Sequence, residues 1–334
     1  MSDSQASGPQ IKLNFLPTAA TFHLLEPLGV GTVGTVFRAE SPDIDQPVAV
    51  KLLHPTIAHD ARIVDRFQRE ITIMERLNHP HIVRTYGGGL MDGQYYYAMQ
   101  LLDHGTLKQR LQKHGPLPWS QVAAYAAHIA SALQHAHNHG IIHRDLKTSN
   151  LFFDDKAAVV LGDFGIARDI HGSDVTGDGI TVGTYAYMSP EQICADKEIS
   201  GKADLYSLGC VMYEMLTGKP PFLGTNFAQI WDQHLHKKPP GLRAAGVDCP
   251  EWLEQLVMQL LEKDPELRPF NARAVQGNIK DHLEEAFGSD LAHLTPELPP
   301  LEDVAASGGP SWVRILVGLL LIGALIAIAV LRGN

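Results

Sequence analysis

Hydrophobic and polar residues follow one pattern in the first third of the chain and another in the rest. Before about residue 103, short runs rich in β-branched residues predominate, as is typical of strands. These runs are residues 32–37, 48–52, 82–86 and 94–101. We therefore predict that the chain begins with a small, sheet-rich lobe that contains one helix, over residues 61–77.

After residue 103, apolar residues recur at every third or fourth position, which predicts helices. The first apolar set comprises Val122, Ala126, Ile129, Leu133 and Ala136. Gly140 follows this set in the position of a C-terminal cap, and Gly218 follows a second set within residues 205–215. Residues 252–261 predict a third helix. The pattern indicates a larger helical lobe, with a ligand site in the cleft between the two lobes.

The two ends of the chain differ in composition from the part between them. Residues 1–20 are polar and rich in Ser, Gly and Pro, which predicts a disordered segment, and residues 284–311 predict an acidic, Pro-rich linker. Residues 315–331 are apolar and uncharged. We therefore predict a membrane-spanning helix over residues 312–331, followed by a short tail at 332–334. A buried terminal helix is the alternative.

The balance of charges argues against one class of partner. The 334-residue chain has 27 basic and 37 acidic side chains, a formal net charge of −10, so we expect no nucleic-acid partner. Its three cysteines form no C-x-x-C pair that would indicate a redox or zinc site. The first residues lack the basic and apolar regions of a signal peptide, so we expect the main part of the chain to stay in the cytoplasm.

A glycine-rich motif, G-x-G-x-x-G, runs from Gly29 to Gly34. Glycines let backbone amides approach phosphates because no Cβ stands in the way. A dinucleotide-binding site would need a helix directly after the motif. Here residues 35–39 alternate like a strand, and the V-A-V-K sequence at 48–51 predicts a second strand. This order favours a glycine turn that covers phosphates from above.

Lys51 ends a nearly apolar run, where an unpaired ammonium would be costly to bury. Glu70 falls within the inward stripe of the predicted helix, three residues after Phe67 and four before Met74. We therefore predict an ion pair between Lys51 and Glu70. The alternative is an exposed lysine and a glutamate at the edge of the stripe.

The sequence H-R-D-L-K-T-S-N spans residues 143–150, and D-F-G follows at 163–165. Together with the glycine motif and V-A-V-K, this set resembles the eukaryotic-type (Hanks-type) serine/threonine protein kinase family. The resemblance covers roughly residues 22–283. It implies an α+β, two-lobed protein kinase fold over residues 21–283, with an N-lobe at 21–102 and a C-lobe at 103–283, to which the predicted transmembrane helix is added.

The resemblance implies a phosphotransferase that uses ATP and Mg²⁺ as cofactors. Asp145 would orient the acceptor hydroxyl, and Lys147, which goes with Ser or Thr acceptors in this family, would contact the γ-phosphate. Asn150 and Asp163 would hold Mg²⁺. The catalytic set implied in this way is Lys51, Glu70, Asp145, Lys147 and Asn150. Thr148 stands where the family usually has Pro.

The resemblance also implies an ATP pocket in which Met99 is the gatekeeper and the backbone after it holds adenine. Val36, Ala49 and Leu151 would sandwich the ring, although these residues could equally be plain core. The full implied set is Leu28, Gly29, Val30, Gly31, Thr32, Val33, Gly34, Thr35, Val36, Ala49, Lys51, Met99, Gln100, Leu102 and Leu151.

Downstream, the sequence at 183–191 resembles the end of a kinase activation segment. The resemblance implies a buried ion pair between Glu191 and Arg268, and it implies that Asp204 braces the catalytic loop. Between residues 163 and 191 we expect autophosphorylation at Thr176 or Thr181. The alternative is that Asp174 and Asp178 supply permanent negative charge to this segment in place of a phosphate. The small-x-x-x-small spacing of Gly323 and Ala327 suggests self-association.

These features lead us to expect a serine/threonine protein kinase, anchored in the cell membrane by a single span, with residues 1–311 in the cytoplasm and Ser- or Thr-bearing proteins as substrates. One alternative is a pseudokinase that acts as a tethered scaffold. Another is a small-molecule kinase, disfavoured by the peptide platform that residues 183–191 and Arg268 imply. His135 and His139 have the i, i+4 spacing of metal ligands, but no third ligand is suitably spaced, so we expect no metal there.

Overall fold

The computed structural model of the chain describes residues 22–31, 33–56, 60–164, 185–196 and 198–288, apart from the side chains of residues 61, 62, 66 and 70. The predicted N-terminal segment at 1–20, most of the linker, the membrane helix at 312–331 and the tail lie outside these ranges. Within them, no helix is both long enough and apolar enough to cross a bilayer. The membrane helix therefore stays a prediction.

The first lobe is a five-stranded sheet in the order β1-β2-β3-β5-β4, with every neighbouring pair antiparallel. Its elements are β1 (His23–Val30), β2 (Gly34–Ser41), β3 (Ile44–Leu53), α1 (Ala61–Met74), β4 (Thr85–Met91) and β5 (Gln94–Gln100). The run predicted at 82–86 becomes a strand only from Thr85, because Ile82 forms an isolated bridge with Leu161 in the second lobe.

Strand β3 places alternate side chains on opposite faces of this sheet. Val48, Val50 and Leu52 join one apolar cluster, and Leu53 packs on the other face with Phe67 of α1. Lys51 has the same parity as Leu53, so its side chain belongs to the face that α1 covers. The sheet thus carries the predicted phosphate-binding lysine towards the inside of the molecule.

The second lobe is mainly helical, as predicted. Its helices are α2 (Leu107–His114), α3 (Trp119–Asn138), α4 (Pro190–Ile193), α5 (Lys202–Thr217), α6 (Phe227–His236), α7 (Glu251–Leu260) and α8 (Ala272–Phe287). Short 3₁₀ turns lie at Thr148–Asn150 and Pro265–Leu267. Helix α5 ends at Gly218 with left-handed backbone, as the sequence predicts.

Helix α8 corrects one predicted boundary. It continues to Phe287, whereas the linker was expected to begin at residue 284. The apolar positions Val275, Ile279 and Leu283 recur at every fourth residue, and Phe287 continues the series. The Phe287 ring lies 5.6 Å from that of Trp119 on α3. This contact explains why the helix extends beyond the predicted end.

A hairpin of β6 (Leu151–Phe153) and β7 (Val159–Leu161) connects the two lobes. Leu161 receives a hydrogen bond from the Val83 amide and donates one to the His81 carbonyl, both 2.9 Å long. Strand β6 begins directly after Asn150, and β7 ends two residues before Asp163. The hairpin therefore returns Asp163 to the neighbourhood of Asn150, where the Gly162 amide donates to the Asn150 carbonyl over 3.0 Å.

Five histidines gather where the segment between α1 and β4 meets α3. The rings of His81 and His128 stack with centroids 4.0 Å apart, and His135 lies 5.2 Å from His79 and 4.6 Å from His139. Among the described residues, Nδ1 of His128 and Nε2 of His135 are buried without a hydrogen-bond partner. Burial, followed by repulsion from neighbouring histidines, lowers the pKa of His79 and His128 to about 4. These two rings are therefore neutral at pH 7.

This histidine cluster predicts a loss of stability in acid. The folded pKa of His79 and His128 is about 4 and the ordinary value is 6.5, so between these pH values the unfolded chain binds protons that the folded chain does not. We expect the free energy of unfolding to fall as the pH is lowered from 6.5 towards 4, by up to ~1.4 kcal/mol per pH unit for His128 and by less for the more exposed His79. The effect should vanish about one pH unit above 6.5, where these histidines are neutral in both states. Urea unfolding at a series of pH values measures this slope.

The variant His128→Gln should flatten that slope, because glutamine does not titrate. A matched control is His236→Gln, since the His236 side chain is 71% exposed on α6 and bonds only to the Asp232 carboxylate among the described residues. An identical slope in the wild-type chain and in His128→Gln would show that the cluster does not control acid stability.

Candidate active site

Asp204, near the start of α5, holds the loop that precedes Asp145. Its carboxylate accepts hydrogen bonds from the backbone amides of His143 (2.9 Å) and Arg144 (2.8 Å) and from Nε2 of His137 (2.8 Å). Burial alone would raise the pKa of Asp204, but these donors, His137 first, bring it below the usual value. Asp204 therefore stays ionised as a buried anchor for the loop.

His143 links this loop to the segment that carries Asp163. The side chain is fully buried, and burial lowers its pKa, so the ring is neutral. Its Nε2 donates to the Gly162 carbonyl over 3.1 Å, while Nδ1 accepts from the Asp145 amide over 3.3 Å. One ring thus fixes the backbone on both sides of the site.

The structure brings three predicted catalytic side chains together. Lys147 Nζ donates to Asp145 Oδ2 over 2.8 Å, and Asn150 Nδ2 donates to the carbonyl oxygen of Asp145 over 2.9 Å. The Asp145 and Lys147 side chains are 14% and 18% exposed, so the pair is partly shielded from water. Such partial burial strengthens the pairing without closing the site to a substrate.

Lys51 reaches this group from the first lobe. Its ammonium lies 3.7 Å from Asp163 Oδ1, and the Asp163 side chain is 48% exposed. The Glu70 side chain lies outside the described set, so the predicted Lys51–Glu70 pair stays a prediction. Arg144 and Asp163 both have left-handed backbone, with φ of 64° and 44°. This conformation is costly for residues other than glycine and is found at functional sites.

The glycine turn between β1 and β2 combines one tight position with open ones. A Cβ on Gly34 would collide with the carbonyl oxygen of Leu52, whereas a Cβ on Gly29 would meet nothing within 4 Å. The Gly31 amide closes the turn by donating to the Gly34 carbonyl over 2.9 Å. Gly34 is therefore required by strand packing, whereas Gly29 is open and its place beneath a phosphate chain stays a prediction. Thr32 lies outside the described residues.

The predicted adenine residues divide between the core and the segment that links the lobes. Ala49 and Leu151 are buried, and Ala49 pairs in register with Met99 across β3 and β5. The Gln100 amide already donates to the Arg84 carbonyl over 2.8 Å, so it is not available to a ligand. Leu102 follows the end of β5 and stays a candidate. The described members of the glycine turn are Leu28, Gly29, Val30, Gly31, Val33, Gly34, Thr35 and Val36.

The donor set suits Mg²⁺. Asn150 and Asp163 are neighbours, with Asn150 Nδ2 3.5 Å from the backbone carbonyl oxygen of Asp163. Among the residues that the structure describes, no three or more His, Cys, Asp or Glu side chains are grouped so that they could hold a metal ion. His135 and His139 are therefore not part of such a group. Mg²⁺ commonly combines one or two protein ligands with the phosphates of a nucleotide, so a small ligand set fits it.

The predicted pair of Glu191 and Arg268 is present and buried. Arg268 binds both carboxylate oxygens of Glu191, over 2.7 and 2.9 Å, and the two residues are 3% and 7% exposed. Its remaining N–H groups donate to the carbonyls of Lys202, Glu262 and Lys263. All the hydrogen-bond donors of the guanidinium are therefore satisfied.

Sequence reasoning missed several contacts that hold the site. Gln192 Nε2 donates to the Arg144 carbonyl over 2.9 Å, and Tyr187 donates to Glu214 over 2.5 Å. A signal for Glu214 was available, because it is the lone acid in the apolar C-terminal half of α5. An acid there needs a buried partner. The predicted sites at Thr176 and Thr181, like Gly165 of the D-F-G motif, lie outside the described residues.

Comparison with known proteins gives a consistent result. A protein kinase domain model matches residues 22–278. The chain is 33% identical over 269 residues to the serine/threonine-protein kinase PrkC of Bacillus subtilis (strain 168). The aligned part covers 80% of this chain and 41% of that protein. It is 36% identical over 265 residues to PknB of Mycobacterium leprae (strain TN), covering 77% and 42% of the two chains. It thus spans about two fifths of the length of these relatives.

Proposed function

The chain belongs to the protein kinase domain family, and on this premise we propose that it transfers the γ-phosphate of ATP to Ser or Thr hydroxyls of proteins. The names of its relatives, which are serine/threonine-protein kinases, support this activity. The observation that carries the proposal is the meeting of groups from distant parts of the chain. Contacts join Lys51 of the first lobe to Asp163, Asp163 to Asn150, and Asn150 and Lys147 to Asp145.

Each of these side chains has a role in the proposed reaction. Lys51 would bind the phosphates beneath the glycine turn, and Asn150 and Asp163 would hold Mg²⁺, which neutralises charge on the phosphate oxygens. Asp145 would accept the proton of the acceptor hydroxyl as the new P–O bond forms and the bond to ADP breaks. Lys147, bonded to Asp145, would stabilise the charge on the transferred phosphoryl group.

The direct test is transfer of labelled phosphate from ATP by the 334-residue chain in the presence of Mg²⁺. We expect label on a protein acceptor such as casein, with much less in the variant Lys51→Met. The matched control is Lys113→Met, because Lys113 is exposed on α2. Nucleotide binding without transfer would support the pseudokinase alternative instead. Transfer to a metabolite but not to a protein would support the small-molecule kinase.

We further propose that the chain phosphorylates its own segment between residues 163 and 191, at Thr176 or Thr181. The Glu191–Arg268 pair supports this by fixing the end of that segment to the second lobe. Mass spectrometry after incubation with ATP tests the proposal. Full activity with this segment unmodified would contradict it.

We also propose that residues 312–331 anchor the chain in the cell membrane, with the kinase domain in the cytoplasm, where ATP is available. The support is the uncharged, apolar sequence at 315–331 with arginines on both sides. Salt or carbonate washing of membranes tests the anchor, and protease treatment of sealed vesicles tests the orientation. Release of the intact chain by carbonate would contradict the proposal.

A further inference from the structure

A buried hydroxyl of the catalytic loop contacts the segment that leads to helix α4. Thr148 is fully buried, and its Oγ1 lies 3.0 Å from the hydroxyl oxygen of Tyr187. The Tyr187 hydroxyl donates to Glu214 Oε2 over 2.5 Å. Hydrogen bonds between these three side chains thus connect the catalytic loop, through residues 185–191, to helix α5.

The direction of the hydrogen bonds follows from the chemistry of the groups. Burial raises the pKa of Glu214, and the hydrogen bonds from Tyr187 and Thr148 act in the opposite direction. In its ionised form the Glu214 carboxylate can only accept, so the single hydroxyl proton of Tyr187 goes to it. Burial, followed by the nearby charge of Glu214, raises the pKa of Tyr187, so the phenol keeps its proton. Against an ionised Glu214 the Thr148 hydroxyl is also a donor, to the Tyr187 oxygen and to the Glu214 carboxylate. Such a chain polarises each bond in turn and favours one geometry.

Helix α5 holds the site from two positions. Asp204 near its start accepts from the backbone of the catalytic loop, and Glu214 lies ten residues further along, about 15 Å at the usual rise. Ser207 also donates to the Tyr187 carbonyl over 2.8 Å. Both the loop and residues 185–191 are thus fixed to one helix. The Thr148–Tyr187 bond joins them to each other only three residues after Asp145.

We propose that Thr148 is a positioning residue: its hydroxyl fixes residues 185–191, and with them the protein acceptor, relative to Asp145. The proposal rests on the proposed kinase function. Proline, which is usual at this position in the family the sequence resembles, has no hydroxyl. The bond is therefore a property of this sequence and not of the common motif.

The test compares Thr148→Val with the wild-type chain in steady-state kinetics, with casein as acceptor. Valine keeps the shape of threonine and removes the hydroxyl. We expect kcat/KM for casein to fall about two- to tenfold, the effect of one net hydrogen bond, while KM for ATP stays unchanged. The matched control is Thr217→Val, because the Thr217 hydroxyl bonds to the Tyr213 carbonyl at the far end of α5. This control should leave both constants unchanged.

A second set of variants isolates the hydroxyl. Thr148→Ser keeps it and Thr148→Ala does not, while both lose the methyl group, so serine should be close to wild type and alanine close to valine. Because Thr148 acts together with Tyr187, Thr148→Val should lower kcat/KM for casein less in the Tyr187→Phe background than in the wild-type chain. Additive losses would overturn the proposal, and so would equal losses in the serine and alanine variants.

The outcomes separate this proposal from the one on which it rests. If the wild-type chain transfers no phosphate to any protein acceptor, the kinase function fails and the positioning role fails with it. If the wild-type chain is active and Thr148→Val has the same kcat/KM for casein, only the positioning role is overturned. The same holds if Thr148→Val raises KM for ATP by the factor by which it lowers kcat/KM for casein. If Thr148→Val does not fold, the comparison of serine with alanine decides.

Discussion

Replacing Asp145 by Asn should lower the rate of phosphoryl transfer by about 10²–10⁴-fold, the usual contribution of a positioned general base. Asparagine has the same shape and can still accept a hydrogen bond from Lys147, which bonds to Asp145 over 2.8 Å. It cannot take up the proton of the acceptor hydroxyl. The affinity for Mg²⁺ and nucleotide should change little, because Lys51, Asn150 and Asp163 remain. Single-turnover transfer and nucleotide titration measure the two quantities separately.

A matched control is Asp281→Asn, since Asp281 is an exposed residue of α8 in the described structure. It should transfer phosphate at the wild-type rate. Wild-type transfer by Asp145→Asn would show that Asp145 is not the base. An equal loss of nucleotide binding would show instead that the substitution disturbs the whole site.

Replacing Arg268 by Met should destabilise the folded chain by about 3–5 kcal/mol. The change leaves the Glu191 carboxylate, which is 7% exposed, without its cation, and leaves the three carbonyls that Arg268 binds without a donor. Removing one partner of a buried pair is costly because the other charge stays desolvated. Urea unfolding gives the free energy, and thermal unfolding should show a midpoint lower by roughly 10 °C.

The sequence offers a close control in Arg243→Met. Arg243 also pairs with a glutamate, Glu254, over 3.3 Å, but its side chain is 58% exposed. Because water reaches the Arg243 end of this pair, while Glu254 is 19% exposed, its contribution should be near the roughly 0–1 kcal/mol of surface pairs and the loss smaller than for Arg268→Met. If the two variants lose the same stability, burial of the Glu191–Arg268 pair does not matter for the fold.

Much of the fold could be predicted from periodicity, but strand β1 could not. Its residues are mostly exposed, so it lacks the alternation that marks a half-buried strand. Its pairing with β2 is also irregular on both sides of Pro27, which has no amide to donate. Residues 82–84 gave the opposite error. Ile82 and Val83 look like strand because they are apolar and β-branched, but contact with Leu161 keeps them out of the first sheet.

For the site, motif spacing predicted which side chains meet, because their residue types are required by phosphate chemistry. It did not predict the contacts that hold them, since these join distant residues of ordinary type. Gln192 and Tyr187 are common side chains, and only the folded chain shows that they bond to Arg144 and Glu214. The role of Thr148 was missed for the same reason, because a substitution that avoids the catalytic side chains looks neutral in sequence.

The backbone bonds between Leu161 and the segment that enters β4 have a mechanical consequence. His81 and Val83 lie between elements of the first lobe in sequence, but their hydrogen bonds join them to β7 of the second. While these bonds hold, a rotation of the sheet against the helices would leave this segment in place on β7. Asp163 lies only two residues beyond Leu161 and would stay with it, while Lys51, on strand β3, would move with the sheet. Opening and closing of the cleft would thus change the 3.7 Å distance between Lys51 Nζ and Asp163 Oδ1.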